Sequence, residues 1–279
     1  MTSKERVFRA INFQQPDRVP VFATLTPQVA KRLSSHLGLT YEEPLDSLLS
    51  TRISHTNLLT HLGNDCVGIA ACAPKSKPTV TDQNGIITNE WGMKFKNAGL
   101  YNEFYQFPLA HAETREDITN FSFFEPDDDT RFIDAIVSVD SFSSKFAMVG
   151  DLECAIFETA WYLVGLEKFL MDLMMAKPYV NSLLDKIMEI NTVTGKKLIE
   201  AGADIIWTGD DFGSQDGMIM DPETWRYYFK PRIKTMFDEF RKVKPNIKLA
   251  WHSCGSILPI IPDFIEIGLH ILNPVQPQA

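Results

Sequence analysis

Short apolar runs alternate with stretches of helical periodicity along most of this chain. Six runs are rich in branched and aromatic residues and too short for helices, so we predict strands near residues 20, 67, 147, 205, 249 and 271. Between them, polar and apolar positions repeat with the spacing of amphipathic helices, most clearly over 178–201. This alternation predicts a parallel α/β sheet, and the length of 279 residues fits one (β/α)8 TIM barrel.

A closed barrel needs eight strands, and the predicted series ends at six. We therefore expect 1–279 to form a single TIM-barrel domain whose last strands lie beyond Ala279. Two short helices are predicted at about 42–49 and 51–62. A further helix is predicted from the Asp221-Pro222 start signal to about residue 244.

Residues 78–96 interrupt the alternation of strands and helices. β-forming residues flank the dipeptide Asn84-Gly85, which favours a tight hairpin turn. We predict a β-hairpin insertion near 78–96. The aromatic segment 101–112 that follows is predicted to be irregular and to form part of a lid or a substrate wall.

The stretch 203–255 contains the candidate chemistry. Its two predicted strands are followed by Asp210-Asp211 and by His252-Ser253-Cys254, and a helix connects them. Parallel strands joined by a crossover helix end at the same edge of the sheet. We therefore predict that the acidic pair and the imidazole–thiol pair meet at the edge where α/β enzymes place their active sites.

His252 and Cys254 are two residues apart, so in an extended backbone both side chains face one direction. Nitrogen and sulfur donors suit zinc, and we predict these two residues as metal ligands. A third ligand would come from Cys154, from Glu153 or from a residue beyond Ala279. The alternative is a structural histidine beside a small buried thiol.

Two pairs of carboxylates are the other candidates. Asp210 and Asp211 repel each other, so one of them would have a raised pKa and act as a proton donor or substrate anchor. Asp151 and Glu153 form a similar pair after another strand, with Glu153 a catalytic candidate and Asp151 a substrate contact. The alternative is that loop carboxylates accept backbone N–H bonds.

Three further side chains are predicted to contact a substrate. Trp207 and Phe212 would wall a pocket, although aromatic residues near strands more often belong to the core. Gln215 would add a polar contact, although its segment 214–217 also has the composition of a turn.

Composition excludes several classes of function. The net charge of −9 argues against nucleic-acid binding, which needs a basic surface. No apolar run approaches the roughly 18 residues of a membrane span, and the charged N-terminus lacks a signal sequence, so we expect a cytoplasmic protein. The four cysteines are scattered, which favours free thiols or ligands over disulfides. No glycine-rich phosphate loop is present.

Several motifs together resemble the uroporphyrinogen decarboxylase superfamily. The resemblance covers nearly the whole chain and implies a (β/α)8 barrel with its cleft at the carboxyl ends of the strands. The matching stretches are Thr2–Ala10, Pro16–Val21, Gly209–Gly217, Asp221–Arg226, His252–Ser256 and Leu272–Gln276.

The resemblance implies one of two chemistries. One is cofactor-free decarboxylation of a tetrapyrrole, which uses an arginine-rich motif after the first strand; here that place is Phe22–Thr26, without arginine. The other is methyl transfer from a methyl-corrinoid to a thiol or similar acceptor, with a zinc site of His-x-Cys plus a distant Cys. His252 and Cys254 match the first two of these ligands.

We therefore expect a zinc-assisted methyltransferase. Its partners would be a corrinoid protein or free methylcobamide and a small-molecule acceptor, and a homodimer is compatible with the sequence. A decarboxylase acting on another carboxylated substrate is the first alternative. A non-catalytic protein that binds a corrinoid or tetrapyrrole is the second.

Overall fold

The computed structural model describes residues 1–47, 52–99 and 102–276. Its strands and helices alternate along the second half of the chain, as the sequence predicts. In chain order the strands are β1 (Cys66–Ile69), β2 (Val80–Thr81), β3 (Ile86–Thr88), β4 (Lys94–Asn97), β5 (Asn102–Gln106), β6 (Ala147–Cys154), β7 (Ile205–Gly209), β8 (Lys248–His252) and β9 (Ile271–Asn273).

The helices in chain order are α1 (Ser3–Ile11), α2 (Pro27–Leu37), α3 (Thr56–His61), α4 (Arg115–Thr119), α5 (Ile133–Phe142), α6 (Phe157–Val164), α7 (Leu166–Met174), α8 (Pro178–Ala201), α9 (Pro222–Tyr228), α10 (Lys230–Val243) and α11 (Ile261–Glu266). Short 3₁₀ turns precede α5 and α11. Within the described ranges no helix has the length and apolar character needed to cross a membrane.

The central sheet has the order β1-β6-β7-β8-β9, and each neighbouring pair is parallel. Both of its faces are covered. Ile206 and Leu249 pack toward the helices in the main core, whereas Ile205 and Ala250 pack on the opposite face with Val7 of α1. Because alternate residues of each strand are buried on different faces, the runs are apolar throughout. This is the parallel α/β architecture expected for the barrel.

The strand predicted near residue 20 is not formed. Pro20 has no N–H for a ladder. The segment is held instead by one backbone bond from Asp65 N–H to Val21 O (2.7 Å) and by Asn64, whose side chain donates to and accepts from the backbone of Ala23. Side-chain hydrogen bonds thus replace a strand pair at this edge of the sheet.

The predicted hairpin is present and belongs to a larger insertion. Strands β2–β5 form a four-stranded antiparallel sheet. The turn between β2 and β3 has Gly85 at φ +76°, and Asp82 Oδ1 accepts the N–H groups of Asn84 and Ile86. Segment 101–112 was expected to be irregular, but Asn102–Gln106 is strand β5, paired with β4.

Two helix predictions need correction. The helix expected over 221–244 is divided at Phe229 into α9 and α10. The helix expected at 42–49 is absent over 42–47, where Pro44 biases the residue before it toward extended backbone. Its remainder, with the start of the helix predicted at 51–62, lies outside the described residues, and α3 covers Thr56–His61.

Candidate active site

Three possible metal-donor side chains converge at the carboxyl ends of β7 and β8. Donor atoms of Asp211, His252 and Cys254 all lie within 4.8 Å of one another. His252 Nε2 is 3.4 Å from Cys254 Sγ and 3.5 Å from Asp211 Oδ1. The side chains of His252 and Asp211 are 27% and 39% exposed, so solvent reaches the cluster. The predicted meeting of the two motifs therefore occurs, with Asp211 as its acidic member.

Two glycines allow the loops that carry these residues to touch. A Cβ on Gly213 would lie 2.5 Å from Ser256 N, and a Cβ on Gly255 would lie 2.3 Å from Gly213 C. Gly255 also has φ +75°, a conformation that glycine adopts most easily. The backbone of the acidic loop thus rests directly on the His-Ser-Cys loop.

The imidazole of His252 is oriented from its far side. Its Nδ1 lies 2.7 Å from Oδ1 of Asn273, at the end of β9. If Nδ1 donates to this oxygen, the lone pair of Nε2 faces Cys254 and Asp211. That is the tautomer a metal ligand requires.

The thiol and the carboxylate of the cluster are also coupled. The backbone N–H of Cys254 donates to Asp211 Oδ1 at 2.7 Å, which fixes that oxygen beside the thiol. Burial, together with the nearby Asp211 carboxylate, raises the pKa of the Cys254 thiol. The thiol is therefore protonated at neutral pH unless a cation joins the cluster.

Asp210 points away from this cluster, contrary to the prediction that it acts at the rim. Its side chain is fully buried and accepts the N–H groups of Ile156, Phe157 and Glu158 at 2.9–3.0 Å. It therefore caps the start of α6. Burial raises the pKa of Asp210 to about 7, and the backbone hydrogen bonds oppose that rise. The alternative reading of a loop carboxylate that accepts backbone N–H bonds describes this residue.

Glu158 is a site residue that the sequence analysis missed. Its Oε2 lies 3.3 Å from the backbone N of Asp211, and its Oε1 accepts the hydroxyl of Tyr162 at 3.1 Å. Burial and the charges of Asp210 and Asp211 raise the pKa of Glu158 to about 8. No motif marks Glu158, since its place depends on how α6 meets the loop after β7.

A second polar cluster surrounds Arg52. Its guanidinium pairs with Asp151 and with Glu153 and lies 5.3 Å from the Trp207 ring. Asp151 is only 2% exposed and forms an ion pair with Arg52, and its predicted substrate contact stays a prediction. Glu153 has φ +55°, a strained conformation for a residue with a side chain. The roles predicted for Glu153 and Trp207 stay predictions.

The remaining candidates have different surroundings. Phe212 has no exposed surface and stacks in the core against Trp251, so the prediction that it contacts a substrate is wrong. Gln215 is exposed and accepts a hydrogen bond from Gln276, and its role stays a prediction. Among the described residues, the donor group includes neither Cys154 nor Glu153, which were proposed as third ligands.

Comparison with known proteins agrees with this architecture. The sequence pattern of uroporphyrinogen decarboxylase (URO-D) matches residues 109–274, more than half of the chain. The chain belongs to the URO-D family. The matched range runs from the segment before α4 to the end of β9 and contains the whole cluster of Asp211, His252 and Cys254.

A solved structure has a similar fold. The chain is similar to a methyltransferase from Methanosarcina mazei, with a TM-score of 0.63 and 21% sequence identity. The alignment covers 98% of this chain and 75% of the other. At this identity the similarity establishes the fold. No curated protein sequence matches this chain.

The donor atoms of Asp211, His252 and Cys254 are suitable for zinc. A tetrahedral zinc ion with ligands at 2.0–2.3 Å holds them about 3.3–3.8 Å apart. Two of the donor separations fall in that range at 3.4 and 3.5 Å. One nitrogen, one sulfur and one carboxylate oxygen are donors that zinc accepts, and the side chains of His252 and Asp211 are partly exposed.

Proposed function

We propose that this protein is a zinc-assisted methyltransferase that moves a methyl group between a corrinoid and a thiol or similar acceptor. The observation that carries the proposal is the partly exposed cluster of Asp211, His252 and Cys254 at the carboxyl ends of the strands. The URO-D fold and the methyltransferase of similar fold support the same class. The stretch 22–26, without arginine, disfavours a substrate that carries many carboxylates.

Each residue of the cluster has a distinct task in this proposal. His252, held by Asn273, and Cys254 would bind the ion, and Asp211 would complete the set. A zinc ion there would lower the pKa of a bound acceptor thiol. A methyl-corrinoid would supply the methyl group without its bonding electrons, which would stay on cobalt, and the carbon–sulfur bond would form from the electron pair of the thiolate. The thiol proton would go to solvent, which reaches the partly exposed cluster.

The test is metal analysis combined with a methyl-transfer assay. Purified protein should hold about one zinc ion per chain, and Cys254→Ser and His252→Ala should lose most of it. The same variants should lose methyl transfer from methylcobalamin to a panel of thiols by at least about 100-fold. Each variant keeps only two of the three proposed ligands, and two ligands hold the ion poorly.

His36→Ala is the matched control, because His36 is exposed and lies on α2, a helix that carries no residue of the cluster. It should keep both zinc and activity. Near-zero zinc in wild type and variants alike would end the zinc proposal. Release of carbon dioxide from a carboxylated tetrapyrrole by such a zinc-free protein would favour the decarboxylase alternative, and tight corrinoid binding without turnover the non-catalytic one.

A further inference from the structure

A cavity of about 330 Å³ lies between the inserted antiparallel sheet and the end of β6. Residues of β3–β5 form one wall, and Glu153, Cys154 and Tyr162 form the other. Its size is at the lower end of the range for small-molecule pockets. The inserted sheet thus forms one wall of a cavity whose other wall lies at the end of β6.

Aromatic rings form much of this cavity. Phe95, Phe104 and Tyr162 all line it, and the ring of Phe104 lies 4.8 Å from each of the other two. Phe104 and Tyr162 are partly exposed, so ring surface is open to an occupant. A group of adjacent aromatic faces is the arrangement with which proteins bind alkylammonium groups through cation–π contacts.

The charged residues that line the cavity are both acidic. Asp46 and Glu153 line it, and among the described lining residues there is no lysine, arginine or histidine. Arg52 pairs with Glu153 from outside the lining, and Asp46 accepts hydrogen bonds from the backbone N–H and the hydroxyl of Thr79, so the carboxylate of Asp46 is held at the cavity wall. An anionic ligand would meet repulsion here, whereas a cation would meet attraction.

The cavity adjoins the metal cluster through a short series of contacts. The Cys154 thiol is 3.6 Å from the Tyr162 hydroxyl, and Tyr162 donates to Glu158. Glu158 in turn lies 3.3 Å from the backbone nitrogen of Asp211. Two side chains, those of Tyr162 and Glu158, therefore connect a small molecule seated between the rings to Asp211 of the candidate metal centre.

We propose that this cavity binds the ammonium group of a small organic cation, so that the acceptor of the proposed methyl transfer carries an ammonium group beside its accepting group and is not an anionic thiol. The role of this cation as the acceptor rests on the proposed methyl transfer. The binding itself does not, because rings and carboxylates recognise the cation whether or not zinc or a corrinoid is present.

The first experiment compares ligands on wild-type protein by calorimetry. Choline is the cationic ligand, 3,3-dimethyl-1-butanol its neutral isostere, and propanesulfonate an anion of similar size. Choline should bind at least about tenfold more tightly than the isostere, since cation–π contacts and an ion pair together amount to more than 1.4 kcal/mol. The anion should not bind. Equal binding of choline and its isostere, or tighter binding of the anion, overturns the proposal.

Variants then separate recognition from folding. Phe104→Leu keeps an apolar side chain but removes a ring face, so it should reduce the choline-to-isostere ratio by roughly three- to tenfold. Asp46→Asn should also reduce that ratio. Glu103→Gln, on the same strand as Phe104 but outside the lining, removes a charge as a matched control and should leave the ratio unchanged. Unchanged ratios in both cavity variants overturn the proposal, and the ligand comparison on wild type stands even if a variant fails to fold.

The two proposals can fail separately. Chelator-treated protein that still prefers choline, combined with zinc-free and inactive wild type, would retain the cation site and reject the methyltransferase. Zinc-dependent methyl transfer without any preference for choline would retain the methyltransferase and reject the cation site.

Discussion

The imidazole of His252 faces the thiol and carboxylate with one nitrogen and Asn273 with the other. Asn273 is not one of the three possible metal ligands. Its side chain contacts the ring nitrogen of His252 that faces away from them, and a metal-bound histidine usually has a hydrogen-bond partner at that nitrogen. Strand β9, which pairs with β8 and places Asn273 opposite His252, thereby sets the direction of a ligand. At the scale of single residues, the centre depends on this amide as well as on the donors.

Replacing Asn273 with leucine should weaken zinc binding without removing a ligand. Loss of such an outer partner typically lowers metal affinity 10- to 100-fold, because the ring orientation and tautomer are no longer held. Competition with a colorimetric zinc chelator measures this. Asn273→Asp, which can still accept from Nδ1, should retain wild-type affinity or exceed it. If leucine and aspartate variants bind zinc equally, Asn273 has no orienting role.

At the scale of elements, strand β1 is crossed by the segment that carries Arg52. A Cβ placed on Gly68 would lie 2.3 Å from the backbone oxygen of Arg52 and 3.4 Å from the Cα of Ile53. The only side chain that lets the two backbones approach so closely is a hydrogen atom. Gly68 therefore allows this segment to bring Arg52 to Asp151 and Glu153 at the end of β6.

Gly68→Ala should destabilise the protein by about 2–3 kcal/mol, since a backbone atom cannot move as cheaply as a side-chain end. Urea unfolding followed by circular dichroism gives this value. Gly85→Ala is the comparison, because a Cβ there meets nothing within 4 Å and costs only the positive φ, about 1 kcal/mol. A smaller loss for Gly68→Ala than for Gly85→Ala would contradict the crossing argument.

At the scale of the whole molecule, Asp65 joins the N-terminal segment to the sheet. Its side chain is fully buried and receives Arg6 at 2.6 Å, Arg18 at 2.7 Å and the N–H of Val21 at 2.8 Å. Burial by itself would raise the pKa of Asp65, but these hydrogen bonds outweigh it and lower the pKa. One carboxylate thus fixes α1 and the segment after it against β1.

Asp65→Asn should cost about 3 kcal/mol at neutral pH, because it leaves the buried guanidinium of Arg6 with one carboxylate fewer. The folded pKa lies below the unfolded value, so the contribution is present above about pH 4 and is lost as pH falls through the folded pKa. Urea unfolding from pH 7 to pH 2.5 should show the wild-type advantage shrinking in acid. A difference that is constant across this range would show that folding does not lower the pKa of Asp65.

The local pattern of the chain was enough to predict much of this fold. Apolar runs bounded by polar turns predicted β1 and β6–β9, and Asn84-Gly85 predicted its hairpin, since both signals depend on neighbours in sequence. The segment near residue 20 has the same apolar content, and its prediction was wrong. Whether it pairs depends on Asn64 and Asp65, which only the folded chain brings beside it.

The sequence by itself determined that Asp211, His252 and Cys254 would meet, because a crossover between parallel strands leaves their ends at one edge. Only the tertiary structure decided that adjacent Asp210 turns inward to cap α6, that Glu158 enters the site, and that the insertion encloses an aromatic cavity. Those outcomes depend on which helix and which sheet pack against each loop, and such distant contacts leave no periodic signal in the chain.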